Sequence, residues 1–344
     1  MSDYNSHQKL QHPHPATNIS VIKHNYNMSE IIVKENAPNL FPNGDYVSPG
    51  FATVKPDSCF PNMVLGNKYD SSWLYLRRDI PHNWYVDQRR HGVGFVSRDE
   101  AHILYNTALK FTGKKALEIG CWMGWSACHL ALGGVELDVI DPMLSEQLFH
   151  ESVSDSLKRA GVQESVNLIP GYSPAKVAEI GNKFNRKWSL IFIDGHHEAP
   201  APLNDVIICE QLAEDDALIL FHDLSSPDVG QGLDYLRAKG WHTMVYQTMQ
   251  IMGVAWRGNV EPVTHQPDNT IDWRLPPHLQ SYTVSGANQT GKPSQFTSFL
   301  QAIQPYTLLS EAQLFALYSQ GQQVYDYLFW LPKILWQAIS RNKF

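Results

Sequence analysis

Residues 115–126, KALEIGCWMGWS, decide how the chain is read. A short apolar run ends in Gly120, and Gly124 then opens a stretch of helical character that lasts to Leu132. Glycine at a strand-to-helix turn allows tight turning and close approach of a ligand to the backbone. The spacing is Gly-x-x-x-Gly, which is neither the G-x-G-x-x-G of a dinucleotide site nor a phosphate loop ending in GK[ST]. Glu118, two residues before the first glycine, is unhelpful for phosphate and suits a ligand bearing a cationic amine. A purely structural tight turn explains the loop equally well, so its neighbours must decide.

Working outward, the segments VELDVID (135–141), VNLIPG (166–171), WSLIFIDG (188–195) and ALILFHD (217–223) read as further strands. Between them lie helical stretches at 145–160, 174–180 (followed by Gly181), 200–213 and 229–239 (closed by Gly240). WHTMVYQT (241–248) and IMGVAW (251–256) predict a terminal hairpin. Upstream, 98–111 carries Ile103, Leu104, Ala108 and Phe111 on one helical face. Strands alternating with helices, and apolar along nearly their whole length, predict an α/β fold. It is a doubly wound Rossmann-like sheet, mostly parallel, with an antiparallel terminal hairpin and N- and C-terminal extensions. The expected organisation is a disordered 1–30, an N-terminal extension or lid over 31–97, a ligand-binding domain over 98–258, and a C-terminal extension with a helical tail over 259–344.

Composition narrows the partners. The chain has 344 residues and a net charge of −7, so it lacks the basic footprint of a nucleic-acid binder. Its cysteines, Cys59, Cys121, Cys128 and Cys209, form no C-x-x-C pair and no disulfide framework. No apolar run reaches the roughly 18 residues of a spanning helix. The N-terminus has no apolar signal core, so a cytoplasmic location is expected. The chain is ring-rich, with 10 Trp, 15 Tyr and 14 Phe.

In open α/β sheets ligands bind beyond the carboxyl ends of the strands. Asp141 ends the second strand, where a carboxylate can accept hydrogen bonds from a ribose diol or simply lead into the next helix. Ser173 is a suitable helix N-cap, and Tyr172 and Ser173 also suit the side of an adenine pocket. Asp194, His196, His197, His222 and Asp223 fall at the ends of two strands and form the densest ionisable cluster in the sequence.

Taken in order, ALEIGCWMGWS, VELDVID, GYS, WSLIFIDGHH and ALILFHD resemble class I S-adenosylmethionine-dependent methyltransferases, and within them the Methyltransf_24 or macrocin-type small-molecule O-methyltransferases. The resemblance assigns Glu118, Gly120, Gly124 and Ser126 to the methionine part of S-adenosylmethionine, Asp141 to its ribose, and Tyr172 and Ser173 to its adenine. Asp194 borders the same pocket. It further implies a divalent metal, Mg²⁺ or another, held by Asp194, His222 and Asp223, and a general base at His196, with His197 or Glu198 as alternates. Two departures stand out: the turn Glu214-Asp215-Asp216-Ala217 lacks the family's glycines, and His222-Asp223 replaces a pair of carboxylates. Histidine suits a softer metal than Mg²⁺.

The expected function is O-methylation of a hydroxyl on a small natural product or sugar. The alternatives are a metal-independent N-methyltransferase and a non-catalytic methyltransferase-like binding protein. The aromatic-basic stretch 73–95, with Trp73, Arg77, Arg78, Trp84, Tyr85, Arg89, Arg90 and His91, is expected either to close the acceptor pocket or to pack on the core. The apolar tail after Ser310 suits packing on the domain, a membrane interface or a homo-oligomer contact.

Overall fold

A computed structural model describes residues 44–66, 84–271 and 273–286. The 1–30 segment, Trp73, Arg77 and Arg78 of the expected lid, and the tail after Ser310 lie outside the described residues. Three short strands, β1 (Met63–Leu65), β2 (Tyr85–Asp87) and β3 (Arg90–Gly94), form an antiparallel sheet ahead of α1 (Arg98–Lys110). The proline-rich stretch before Gly66 reads as irregular in sequence, yet Met63–Leu65 finds a partner in β2.

Strands and helices then alternate as β4 (Lys115–Ile119), α2 (Trp125–Leu132), β5 (Glu136–Asp141), α3 (Gln147–Arg159), β6 (Val166–Pro170), α4 (Ala175–Phe184), β7 (Trp188–Ile193), α5 (Ala201–Leu212), β8 (Ala213–Phe221), α6 (Pro227–Ala238), β9 (His242–Tyr246) and β10 (Met252–Arg257). They build a seven-stranded sheet in the order β6-β5-β4-β7-β8-β10-β9. The first five strands pair in parallel, while β10 and β9 close the edge as an antiparallel hairpin. The chain winds outward from β4 to β6, then returns across β4 to β7. The order therefore reverses between β4 and β7, where doubly wound sheets bind ligands.

Alternation along the strands fills both faces. Leu190, Phe192, Leu218 and Leu220 join α1, α2 and α3 in one core; Ile191, Ile193, Ile219 and Phe221 join α4, α5 and α6 in the other. Burial on both sides is why these strands read as continuous apolar runs rather than as polar-apolar alternation. Helix α1 begins with a capping box in which the Ser97 side chain accepts from the Glu100 backbone and Glu100 accepts from the Ser97 backbone.

Three boundaries differ from the sequence reading. Gly181 lies inside α4, where its missing side chain admits Leu212, and the helix ends instead at Asn185 in the left-handed region. Strand β8 begins at Ala213 because the turn residues Glu214, Asp215 and Asp216 are themselves extended. Ser173 does not cap α4: Pro174 holds that position, with no side-chain cap bond.

Register then aligns the strand ends. Ile140, Ile119, Ile193 and Phe221 form one continuous cross-strand row. The residues one step further on, Asp141, Gly120, Asp194 and His222, therefore emerge side by side at the carboxyl edge. The backbone bonds Gly120 N to Ile140 O, Asp194 N to Ile119 O and His222 N to Ile193 O, of 2.9, 2.9 and 3.1 Å, extend the ladder to that row. Among the described residues, no helix is long and apolar enough to cross a membrane.

Candidate active site

The loop after β4 is built for close approach. Gly120 has φ +81° and Gly124 φ +84°, conformations that favour glycine. A Cβ on Gly120 would collide with the Asp194 carbonyl oxygen, and one on Gly124 would lie 2.9 Å from Val153 Cγ1. Asp141 braces this loop: its Oδ2 accepts from Cys121 N at 2.9 Å and its Oδ1 from Met143 N at 2.8 Å. It is thus both a helix-leading carboxylate and a wall of the cleft.

Glu118 is 0% exposed, and neither of its carboxylate oxygens accepts a hydrogen bond. Burial pushes its pKa well above the ordinary carboxylate value, with the Ser126 hydroxyl opposing the shift and Asp194 and Asp141 adding to it. An orphaned buried carboxylate beside a glycine cradle fits a ligand that brings its own cation, which matches the ammonium group of S-adenosylmethionine. Tyr172, expected beside adenine, is 75% exposed. Ser173 instead faces the buried Asp205 of α5, whose pKa it lowers.

The ionisable cluster assembles across the row of strand ends. His197 Nε2 lies 3.2 Å from Asp194 Oδ1, and its Nδ1 lies 3.1 Å from Asp223 Oδ2. One atom each from Asp194, His197 and Asp223 falls within 4.8 Å of the others, a spacing that can hold a metal ion. Asp223 reaches back into the cluster from a left-handed backbone at φ +53°. For a non-glycine residue this costs about 1 kcal/mol or more, and such strain concentrates at functional sites.

His222 lies deeper than His197: its Nδ1 is 3.1 Å from Asp194 Oδ1, and its Nε2 stands 3.4 Å from Glu100 Oε2 without a hydrogen bond. Burial pushes His222 down, but Asp194, Asp223 and Glu100 together hold it well above the ordinary imidazole value. His197 is also raised, because Asp223 and Asp194 outweigh its burial. Asp194 is lowered by the two histidines despite burial. Asp194, His197 and Asp223 are thus a second candidate ligand set beside the expected Asp194, His222 and Asp223.

His196 lies outside the cluster: its side chain is 64% exposed and its nearest charged neighbour is Glu198, at 3.9 Å. Glu100 is the residue that sequence reasoning missed. It is 0% exposed, and although burial pushes its pKa up, the His222 charge and bonds from Gln250 and Ser97 hold it at about 2. Its only sequence signal is the S-x-x-E pattern of Ser97 to Glu100, which marks a helix start rather than a site.

The described part of the N-terminal extension docks beside this loop. Arg89 forks onto both Asp87 oxygens, reaches Ser152 Oγ at 2.8 Å, and its Nη2 lies 3.7 Å from Met123 Sδ. Arg90 pairs with Glu146 at 2.9 Å. Arg89 and Arg90 are thus each engaged with a carboxylate. A separate groove of about 780 Å³ opens at the amino ends of β4, β5 and β6, beside Asp138 and Arg186, away from the cluster.

A glycine loop, an orphaned carboxylate and a row of acidic strand ends thus meet at the carboxyl edge of a doubly wound sheet. The profile of a family described as a methyltransferase domain matches residues 117–224. No curated protein matches the chain by sequence. Similar solved structures include the O-methyltransferase of Bacillus cereus in complex with S-adenosylhomocysteine, 13% identical over 47% of this chain and 83% of that one, with a TM-score of 0.42. The O-methyltransferase TomG of Streptomyces achromogenes, involved in tomaymycin synthesis, is 17% identical over 48% of this chain and 82% of that one, with a TM-score of 0.42. A caffeoyl-CoA O-methyltransferase-like protein of Staphylococcus aureus is 16% identical over 48% and 85%, with a TM-score of 0.40.

Proposed function

We propose that the chain, through a domain spanning 98–258, methylates a hydroxyl group on a small molecule with the help of a divalent metal. The observation that carries this reading is the Asp194, His197 and Asp223 cluster, one strand from the Glu118 and Gly120 loop. Two carboxylates and an imidazole suit Mn²⁺, Fe²⁺ or Zn²⁺ at least as well as Mg²⁺. A divalent ion bound there supplies positive charge that lowers the pKa of an acceptor hydroxyl. S-adenosylmethionine supplies the methyl group, and Glu118 pairs with its ammonium while Gly120 leaves room for its backbone-like end.

The chain's own residues do the rest. Transfer from a sulfonium is an in-line displacement, so nucleophile, methyl carbon and leaving sulfur must be held in line. Asp141 fixes the loop that positions the donor. His196, exposed on the same loop as His197, takes the hydroxyl proton as general base. A metal-free version is favoured by one observation: His197 already bridges Asp194 and Asp223 through both ring nitrogens and is itself placed to act as base.

The test is an acceptor screen with S-adenosylmethionine, read by mass spectrometry for a gain of one methyl group, before and after exhaustive chelation. Turnover lost on chelation and restored by Mn²⁺ or Mg²⁺ supports the metal reading. Full turnover after chelation replaces it with the metal-free one.

A further inference from the structure

Among the described buried carboxylates outside the candidate metal cluster, Glu100 alone is 0% exposed and lies against His222. Glu100 sits in the first turn of α1, on a different element from every residue of the cluster, yet its carboxylate reaches the edge of His222. Its position is fixed twice: Oε1 accepts from Gln250 N at 2.9 Å, and Oε2 accepts from Ser97 N at 2.8 Å. The other edge of His222 bonds Asp194 Oδ1 at 3.1 Å. Glu100, His222 and Asp194 therefore lie in one line from a helix start to the candidate metal cluster, joined by a 3.4 Å charge contact at Glu100 and a hydrogen bond at Asp194. A carboxylate buried this deeply stays ionised only where it is paired and hydrogen-bonded. Helix capping alone requires neither complete burial nor an imidazole alongside.

We propose that Glu100 is a positioning residue, which holds the His222 ring so that His222 in turn orients Asp194 toward a divalent metal. The inference rests on the metal reading above. A ligating carboxylate that is itself hydrogen-bonded has a fixed orientation, and loss of such outer support commonly weakens metal affinity 10–100-fold. Asp194 Oδ1 is shared between His222 and His197, so loss of the His222 contact removes one of the two groups that fix its orientation. Gln250, which bonds Glu100, lies in the segment joining β9 to β10, so the same carboxylate also ties the terminal hairpin to the site.

The experiment is a Mn²⁺ titration of the full chain by electron paramagnetic resonance, with S-adenosylhomocysteine affinity measured by calorimetry in parallel. Glu100→Gln is expected to weaken Mn²⁺ about 10–100-fold while leaving S-adenosylhomocysteine within twofold. Ser97→Ala breaks the same capping box without touching His222, and is expected to leave Mn²⁺ affinity within twofold. In a His222→Gln background, Glu100→Gln is expected to add less than a twofold loss, because both act through one path. Equal Mn²⁺ affinity in wild type and Glu100→Gln overturns the proposal and spares the metal reading. An equal loss in Ser97→Ala also overturns it, since helix capping then accounts for the effect. A wild type that binds no Mn²⁺ overturns the metal reading and this inference with it. Should Glu100→Gln not fold, Glu100→Asp keeps the charge, retracts it by one methylene, and carries the same expectation.

Discussion

Asp205 offers a prediction whose size follows from its surroundings. It lies on α5 at 1% exposure, beneath Gly195 at the end of β7, and its Oδ1 has no hydrogen-bond partner. Burial lifts its pKa from the ordinary 3.8 to about 6, against the opposing pull of the Ser173 hydroxyl. A tenfold change in proton affinity is worth about 1.4 kcal/mol, so ionising Asp205 inside the fold costs about 3 kcal/mol. The folded state holds the proton more tightly than the unfolded chain. The resulting stabilisation is complete below about pH 4 and is lost as pH rises through about 6.

Asp205→Asn removes this titration while keeping the shape of the side chain. Relative to wild type, the variant is expected to gain about 2.4 kcal/mol between pH 4 and pH 7. Urea unfolding followed by circular dichroism at pH 4, 5, 6 and 7 reads the difference directly. A wild-type-minus-variant difference that stays flat within about 0.5 kcal/mol across that range, the size of an ordinary surface substitution, refutes the reasoning. In that case the carboxylate has solvent or a partner in the folded protein, and the description of its environment fails.

Other outcomes can be checked with the same protein preparations. Asp194→Ala and Asp223→Ala are expected to abolish both Mn²⁺ binding and turnover, and Mn²⁺ binding by either variant at wild-type affinity removes that residue from the ligand set. Glu118→Gln leaves the donor's ammonium without its buried counter-charge, and calorimetry is expected to show S-adenosylmethionine binding weakened by about 30-fold or more. Gly120→Ala forces a side chain against the Asp194 carbonyl, so its S-adenosylmethionine binding should be lost; binding within threefold of wild type contradicts the close approach. His196→Ala is expected to lower kcat more than S-adenosylmethionine affinity, and an unchanged kcat moves the base to His197.

Much of the fold was legible because burial on both faces leaves a direct trace in sequence. Leu190 to Ile193 and Leu218 to Phe221 are apolar at every position, and each neighbouring pair feeds opposite cores. Boundaries were less legible where the same residue types serve two ends. Gly181 reads as a helix terminator, yet its role is to admit Leu212. Ser173 reads as a cap, yet its hydroxyl turns to Asp205.

The candidate site divides in the same way. The residue types and their strand-end positions are sequence properties: Glu118 before Gly120, Asp141 after an apolar run, Asp194 and Asp223 after two others. Which of the adjacent histidines enters the cluster is not, since His196 and His197 differ only in the direction a loop turns them. Nor does any spacing show that Glu100, 122 positions before His222, lies 3.4 Å from its ring. An alternating α/β chain with a glycine-bearing strand-to-helix loop and acidic strand ends is legible in the residues alone, because local periodicity and turn chemistry act over a few residues. Only the tertiary structure decided that β7 returns beside β4, which sets Asp141, Gly120, Asp194 and His222 in one row and places Glu100 behind it. Strand order and the packing of α1 are long-range choices, made by the burial of whole faces rather than by any neighbouring residues.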